Sequence, residues 1–259
     1  MRLEPSLVIL SGLASLLLLY ILAPIIALYI ATPPASIEDL LGSPELRGEV
    51  ARALETTLIA SLLAVILLLA LGVPLAYVLA RHRFPGKSIV EAIVDIPLAL
   101  PHTVAGIMLL EAYGPSSPIG EALSRLDLAV KDHLLGVVLV MAFVSAPLLV
   151  DTVKVGIQSI PVSLEETART LGVPQSRIFT DITLPLAWRS ILAGSILAWA
   201  RGLSEVGALL VVAYYPKTVN ILILEYLSIY GLRVAAALAA LYAGITLLAF
   251  TALRVVAGK

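Results

Sequence analysis

Residues 56–80 read TTLIASLLAVILLLALGVPLAYVLA, without a single charged side chain. A helix of that length exceeds the roughly 20 apolar residues that a hydrocarbon core requires. Similar runs flank it. They predict helices over 6–31, 52–80, 90–112, 134–158, 188–213 and 234–254, an all-α integral membrane protein with six transmembrane helices in a single domain over 1–259. The composition agrees: of 259 residues, 60% are hydrophobic and 14% charged, against about 25% charged in ordinary globular chains. One soluble core of this length cannot hide that excess. The first run, Leu7 to Ile30, is longer than the apolar part of a signal peptide, and no small-residue cleavage site precedes Thr32, so it reads as a retained helix.

Composition also removes function classes. A net charge of −1 excludes a nucleic-acid binder of the electrostatic kind. The absence of cysteine excludes disulfides, thiolate metal sites and cysteine nucleophiles. No His/Asp/Glu spacing suggests a metal site, and no serine stands in a nucleophile setting. Gly86-Lys87-Ser88 resembles the end of a phosphate-binding loop, but Arg81 stands where that loop requires glycine and no strand precedes it. Catalytic, cofactor-binding and metal-ligating residues are therefore expected to be absent.

The third run differs from the others. Only Ile96 to Leu110 is free of Asp, Glu, Lys and Arg, too short for a core about 30 Å thick, and Pro97 and Pro101 each remove a helical hydrogen bond. Such a segment must draw Asp95 or Glu111 into the interfacial zone, or break where it lines a cavity.

Lysine and arginine set the orientation. With both termini cytoplasmic, the inner segments hold Arg2, Arg81, Arg83, Lys87, Lys154, Arg169, Arg177, Arg189, Arg254 and Lys259. The outer segments hold Arg47, Arg52, Arg125, Lys131, Lys217 and Arg233. The excess favours this arrangement under the positive-inside rule, and it puts the loop 159–187 in the cytoplasm. That loop contains Ser163-Leu-Glu-Glu-Thr-Ala-Arg-Thr-Leu-Gly172. Ser163 and Glu166 have capping-box spacing. Leu164, Ala168 and Leu171 fall on one helical stripe, and Glu165 with Arg169 forms an i, i+4 pair expected to steady the helix. Gly172 supplies a left-handed stop, and Pro174 suits the first turn of a second short helix. A helix-glycine-helix on the aqueous side of a membrane protein reads as a docking element.

Glu166-Thr167-Ala168, then Gly172, Ile182 and Leu184-Pro185, resembles the "EAA" signature of permease subunits of binding-protein-dependent ABC transporters, with Thr167 replacing the first alanine. The resemblance implies a type I ABC importer permease fold whose coupling helix seats in a groove of an ATP-hydrolysing subunit, with Leu164, Glu165, Glu166, Ala168, Leu171 and Gly172 as coupling residues. It implies two cytoplasmic ATPase subunits carrying ATP and Mg, a second copy of the chain completing the pore, an extracytoplasmic oxyanion-binding protein that holds most of the selectivity, and import across the plasma membrane. Asp95-Ile-Pro-Leu-Ala-Leu-Pro-His-Thr-Val-Ala-Gly106 and Ala200-Arg-Gly-Leu-Ser-Glu-Val-Gly-Ala208 resemble permeases for molybdate, tungstate and sulfate, the molybdate/tungstate type above all.

His102, Thr103, Arg201, Ser204 and Glu205 are the candidate pathway or gate residues. Ionisable groups at membrane depth are costly and invite a functional reading. Arg201 and Glu205, four apart in the fifth run, read as an ion pair ordering the pore, with transient contact between Arg201 and a tetrahedral dianion as the sharper alternative. Gly194, Ala198 and Gly202, like Ala236, Ala240 and Gly244, permit close helix approach or a dimer seam. An ion-coupled secondary transporter would instead show inverted repeats, and none is legible. Sulfate, phosphate or a polyamine are the other cargoes such a permease could carry.

Overall fold

The computed structural model describes residues 5–257, with side-chain environments over 9–253. Arg2 and Lys259, counted above as cytoplasmic charges, lie outside the described residues, as does the side chain of Arg254. The described chain forms thirteen α-helices and one π-helical segment: α1 (Pro5–Ala31), α2 (Pro34–Gly42), α3 (Pro44–Arg81), α4 (Lys87–Ala99), α5 (His102–Tyr113), α6 (Pro118–Ser124), α7 (Leu134–Gln158), α8 (Val162–Thr170), α9 (Gln175–Arg177), the π segment Ile178–Thr183, α10 (Leu184–Leu203), α11 (Leu209–Val212), α12 (Val219–Ile229) and α13 (Leu232–Ala257). Five stretches are long and apolar enough to cross a membrane: Ile9–Ala31, Pro44–Arg81, Leu134–Gln158, Gln175–Leu203 and Leu232–Leu253. The α4–α5 pair makes a sixth if its two arms count as one span.

The third run breaks at Pro101, while Pro97 is accommodated inside α4. Leu100 is extended (φ −82°, ψ 141°) and Pro101 caps α5, so the two arms meet at a bend of 120°. The residue before a proline is driven out of helical geometry. The fifth run differs from expectation at both ends. It begins earlier, because α9, the π segment and α10 form one continuous helix from Gln175. It also stops earlier: α10 ends at Leu203, a turn covers Ser204 to Ala208, and α11 is a separate short helix. The π segment precedes Pro185, which has no N–H for the carbonyl one turn back and whose ring crowds that carbonyl, so the turn widens.

The chain divides into two compact units. The smaller comprises the chain up to Val50 with Ile223–Leu247. In it Tyr29 Oη donates to the Ala240 carbonyl at 3.1 Å, and Gly244 leaves room for that phenol. Tyr226, fully buried, donates to Glu49 Oε2 at 3.0 Å. From Ile9 to Ile30, helix α1 exposes nearly all of its large apolar side chains, a surface suited to lipid or to another apolar chain.

The larger unit comprises Ala51–Leu222 and the chain from Leu248. Its core is centred on α7, whose Val137, Val140, Met141, Val144, Leu149, Val153 and Ile157 are almost fully buried. Helix α10 runs antiparallel against it: Gly156 meets Ser190, Gly194 meets Leu149 and Thr152, and Gly202 meets Met141 and Ser145. The small-residue run of α10 therefore forms a seam within the chain. A Cβ added at Gly156 would lie 2.0 Å from Ser190 Oγ and 2.2 Å from its Cβ, but 3.7 Å from its Cα. Gly156→Ala should thus lower stability by about 1–3 kcal/mol through overpacking, read as a lower Tm of the purified protein. Adding Ser190→Gly should restore it; a double variant no better than the single one would refute this packing.

Candidate coupling surface and buried charge clusters

Helix α8 starts directly from Pro161, which caps it without a side-chain hydrogen bond. Ser163 thus lies inside the first turn, and the capping box predicted with Glu166 does not form; the Ser163 carbonyl instead accepts from Thr167 Oγ1 at 2.8 Å. The predicted stop does form. Gly172 adopts φ +80°, its N–H donates to Arg169 O at 3.0 Å, and Val173 N–H reaches Ala168 O at 3.1 Å, the paired bonds of a Schellman ending.

The predicted coupling residues divide into two sets. Leu164, Glu166, Leu171 and Gly172 are exposed, Leu171 at 79%. Ala168 is buried, so the supposed apolar stripe is split between the outer edge and the inner face. Glu165 departs furthest from expectation. It is 2% exposed and makes no ion pair with Arg169. Its Oε1 accepts from Arg81 Nε at 2.8 Å and from Thr183 Oγ1 at 2.9 Å, and its Oε2 accepts from Tyr77 Oη at 3.1 Å. Arg81 Nη2 also donates to the Ile160 carbonyl at 2.9 Å. Arg169 donates to Gln175 Oε1 at 3.1 Å, and Gln175 Nε2 donates in turn to Tyr77 Oη. A buried ion pair with its remaining lone pairs satisfied recovers much of its desolvation cost.

Elsewhere in the larger unit, Lys154 Nζ lies 2.7 Å from Asp151 Oδ1 and 3.4 Å from Glu91 Oε1, tying α7 to α4. That bridge is partly exposed and contributes less.

The second cluster gathers the predicted pathway residues. Glu205 is fully buried. Its Oε2 lies 2.7 Å from His102 Nδ1 and 3.0 Å from Arg201 Nη1, while its Oε1 accepts from the Ala208 N–H at 2.9 Å. Glu205 stands beyond the end of α10, so the pair with Arg201 links the last helical turn to the turn after it. Capping the Ala208 amide draws Glu205 off the helix, which is why the fifth run ends early. Arg201 Nη2 also lies 3.2 Å from His102 Nε2. Ser204 is exposed and donates to the Arg201 carbonyl at 2.9 Å; Thr103 is exposed one residue into α5. Glycines make this approach possible: a Cβ at Gly207 would lie 2.7 Å from His102 Cβ, and one at Gly106 2.8 Å from the Ala208 carbonyl. The two stretches that resemble oxyanion permeases thus meet in space.

Sequence reading missed Tyr77, Arg81 and Thr183 as partners of Glu165, Gln175 as the link between Arg169 and Tyr77, and Asn220, whose Nδ2 donates to the carbonyls of Leu203 at 2.7 Å and Glu205 at 3.1 Å. Tyr77 and Asn220 are polar groups next to apolar runs, the one signal that could have marked them. The partner of each depended on tertiary packing.

A family model described as "binding-protein-dependent transport system inner membrane component" matches residues 72–259. The chain is 43% identical over 210 residues to a molybdate/tungstate transport system permease protein of Pyrococcus abyssi, covering 81% of this chain and 79% of the relative. It is 34% identical over 165 residues to a sulfate transport system permease protein of Escherichia coli, covering 64% and 60%. A crystal structure of a bacterial ABC transporter that imports the acidic polysaccharide alginate is similar in fold, with TM-score 0.70 at 19% identity over 97% of this chain and 93% of that one.

Removing the Glu205 carboxylate leaves Arg201 and the Ala208 amide without their acceptor. Glu205→Ala should cost about 3–5 kcal/mol, whereas His102→Ala, at a side chain 48% exposed, should cost much less. Thermal unfolding of the two variants checks the order, and equal losses would contradict this account of Glu205.

Proposed function

The chain belongs to the family of binding-protein-dependent transport system inner membrane components, and we propose that it forms half of a pore importing molybdate or tungstate, driven by ATP hydrolysis on separate subunits. The observation that carries the cargo is 43% identity to a molybdate/tungstate permease across most of both chains. The loop between α7 and α10 supports the coupling role. It presents Leu164, Glu166, Leu171 and Gly172 outward on a short helix with a fixed end. An ATPase groove that seats this edge receives apolar surface and one carboxylate. Closure of two ATPases around ATP would move α8 and swing the pore between inward and outward openings, a two-state equilibrium biased by a ligand that favours one state. A second copy of the chain completes the pore, an extracytoplasmic binding protein delivers the anion, and both termini lie in the cytoplasm.

His102 and Arg201 are the cationic or polar groups we assign to the pathway, with Thr103 and Ser204 beside them. Glu205 neutralises Arg201, so a passing dianion meets donors without a net charge that would trap it. Conduction requires binding weak enough to release.

Proteoliposomes containing the permease, its ATPase and its binding protein should hydrolyse ATP faster when the binding protein is loaded with molybdate or tungstate. Stimulation by sulfate alone would move the assignment to the sulfate branch, to which the chain is also similar. No stimulation by any oxyanion would reject the cargo. Leu171→Asp should strip the ATPase during co-purification while stability stays within about 0.5 kcal/mol, as for other surface substitutions. Full retention of the ATPase would remove α8 from the docking surface.

A further inference from the structure

We propose that Glu165, adjacent to the signature glutamate, is the residue that transmits motion of α8 into the membrane helices. The inference rests on the coupling reading above but assigns Glu165 a role away from the docking surface. Helix α8 exposes Leu164, Glu166 and Leu171 to a partner, while the intervening Glu165 turns inward and is 2% exposed. Its carboxylate is the meeting point of three elements: α3 through Arg81 and Tyr77, the π segment through Thr183, and α8, which carries it. Arg81 also holds the Ile160 carbonyl just before α8. A displacement of α8 by a partner therefore pulls on the cytoplasmic ends of α3 and α10 together through one charged joint.

The joint is stiff for physical reasons. Glu165 Oε1 accepts two donors and Oε2 a third, so a shift of α8 alone would leave a buried charge short of its partners. Moving the three elements together keeps every bond. The hydrogen bonds from Arg169 to Gln175 and from Gln175 to Tyr77 extend the same joint to the surface of α8. Glu165 is thus a positioning residue, and its contribution lies in the ratio of transport to hydrolysis.

The test measures oxyanion taken up per ATP hydrolysed, in proteoliposomes of the complete transporter, since that ratio does not depend on the fraction of protein that folds. In Glu165→Gln the ATPase subunit should still co-purify, while uptake per ATP falls about tenfold, within the range typical of coupling between sites. Glu165→Asp, which keeps the charge on a shorter arm, should recover part of the loss. Wild-type uptake per ATP in Glu165→Gln would overturn the proposal, as would loss of the ATPase from that variant, which would make Glu165 a docking residue. Failure of the docking reading itself shows separately, as an undisturbed ATPase in Leu171→Asp. If the Glu165→Gln chain itself does not fold, and so cannot be purified from the membrane, Arg81→Lys decides: it keeps the charge and withdraws the guanidinium bonds to Glu165 and Ile160, and an unchanged ratio would again overturn the proposal.

Discussion

Helix α10 is fastened at both ends by a buried carboxylate. Near its start, Thr183 donates to Glu165; just past its end, Glu205 receives Arg201 and caps the Ala208 amide. A carboxylate taken out of water must find donors for its lone pairs, and each of these two finds three. Between the two anchors α10 lies along α7 on a seam of glycines. The helix is thus fixed in position by packing and in end-point by charge. The other elements of the larger unit arrange themselves around this pair: α3 reaches Glu165 through Arg81, and α5 reaches Glu205 through His102.

The two anchors differ in what surrounds them. The Glu165 joint is closed on the inside and bears an exposed edge on the outside, so it suits the handling of mechanical displacement. The Glu205 cluster has a buried acceptor and a half-exposed imidazole, so it suits contact with something small and polar. The division matches the roles proposed above, in which the loop bearing α8 receives force and the cluster at His102 and Arg201 meets the cargo.

Much of this was legible in the sequence. Charge-free runs located the spans, because lipid tolerates only helices whose backbone groups are satisfied internally. A break is one of the two outcomes read for the third run, and it falls at Pro101, while Gly172 marks the stop of α8; both rest on local backbone chemistry. The reading lost accuracy where tertiary partners decide. The spacing of Ser163 and Glu166 suits a capping box, but Pro161 starts the helix earlier in the chain and takes the capping position. Glu165 and Arg169 have ion-pair spacing, yet a guanidinium on α3, remote in sequence, draws the carboxylate inward. The fifth run turns apolar again after Ser204 and Glu205, so its hydropathy bridges the turn that Glu205 imposes.

The π segment ahead of α10 sets the rotational phase of everything after it. An α-helix advances about 100° per residue, so one residue absorbed into a widened turn rotates the downstream face by that amount without lengthening the helix greatly. Thr183, at the end of the widened turn, meets Glu165, and Gly194 and Gly202 in the α-helix that follows face α7. Pro185 thus acts as a timing element, fixing how α9 is phased against the glycine seam that follows.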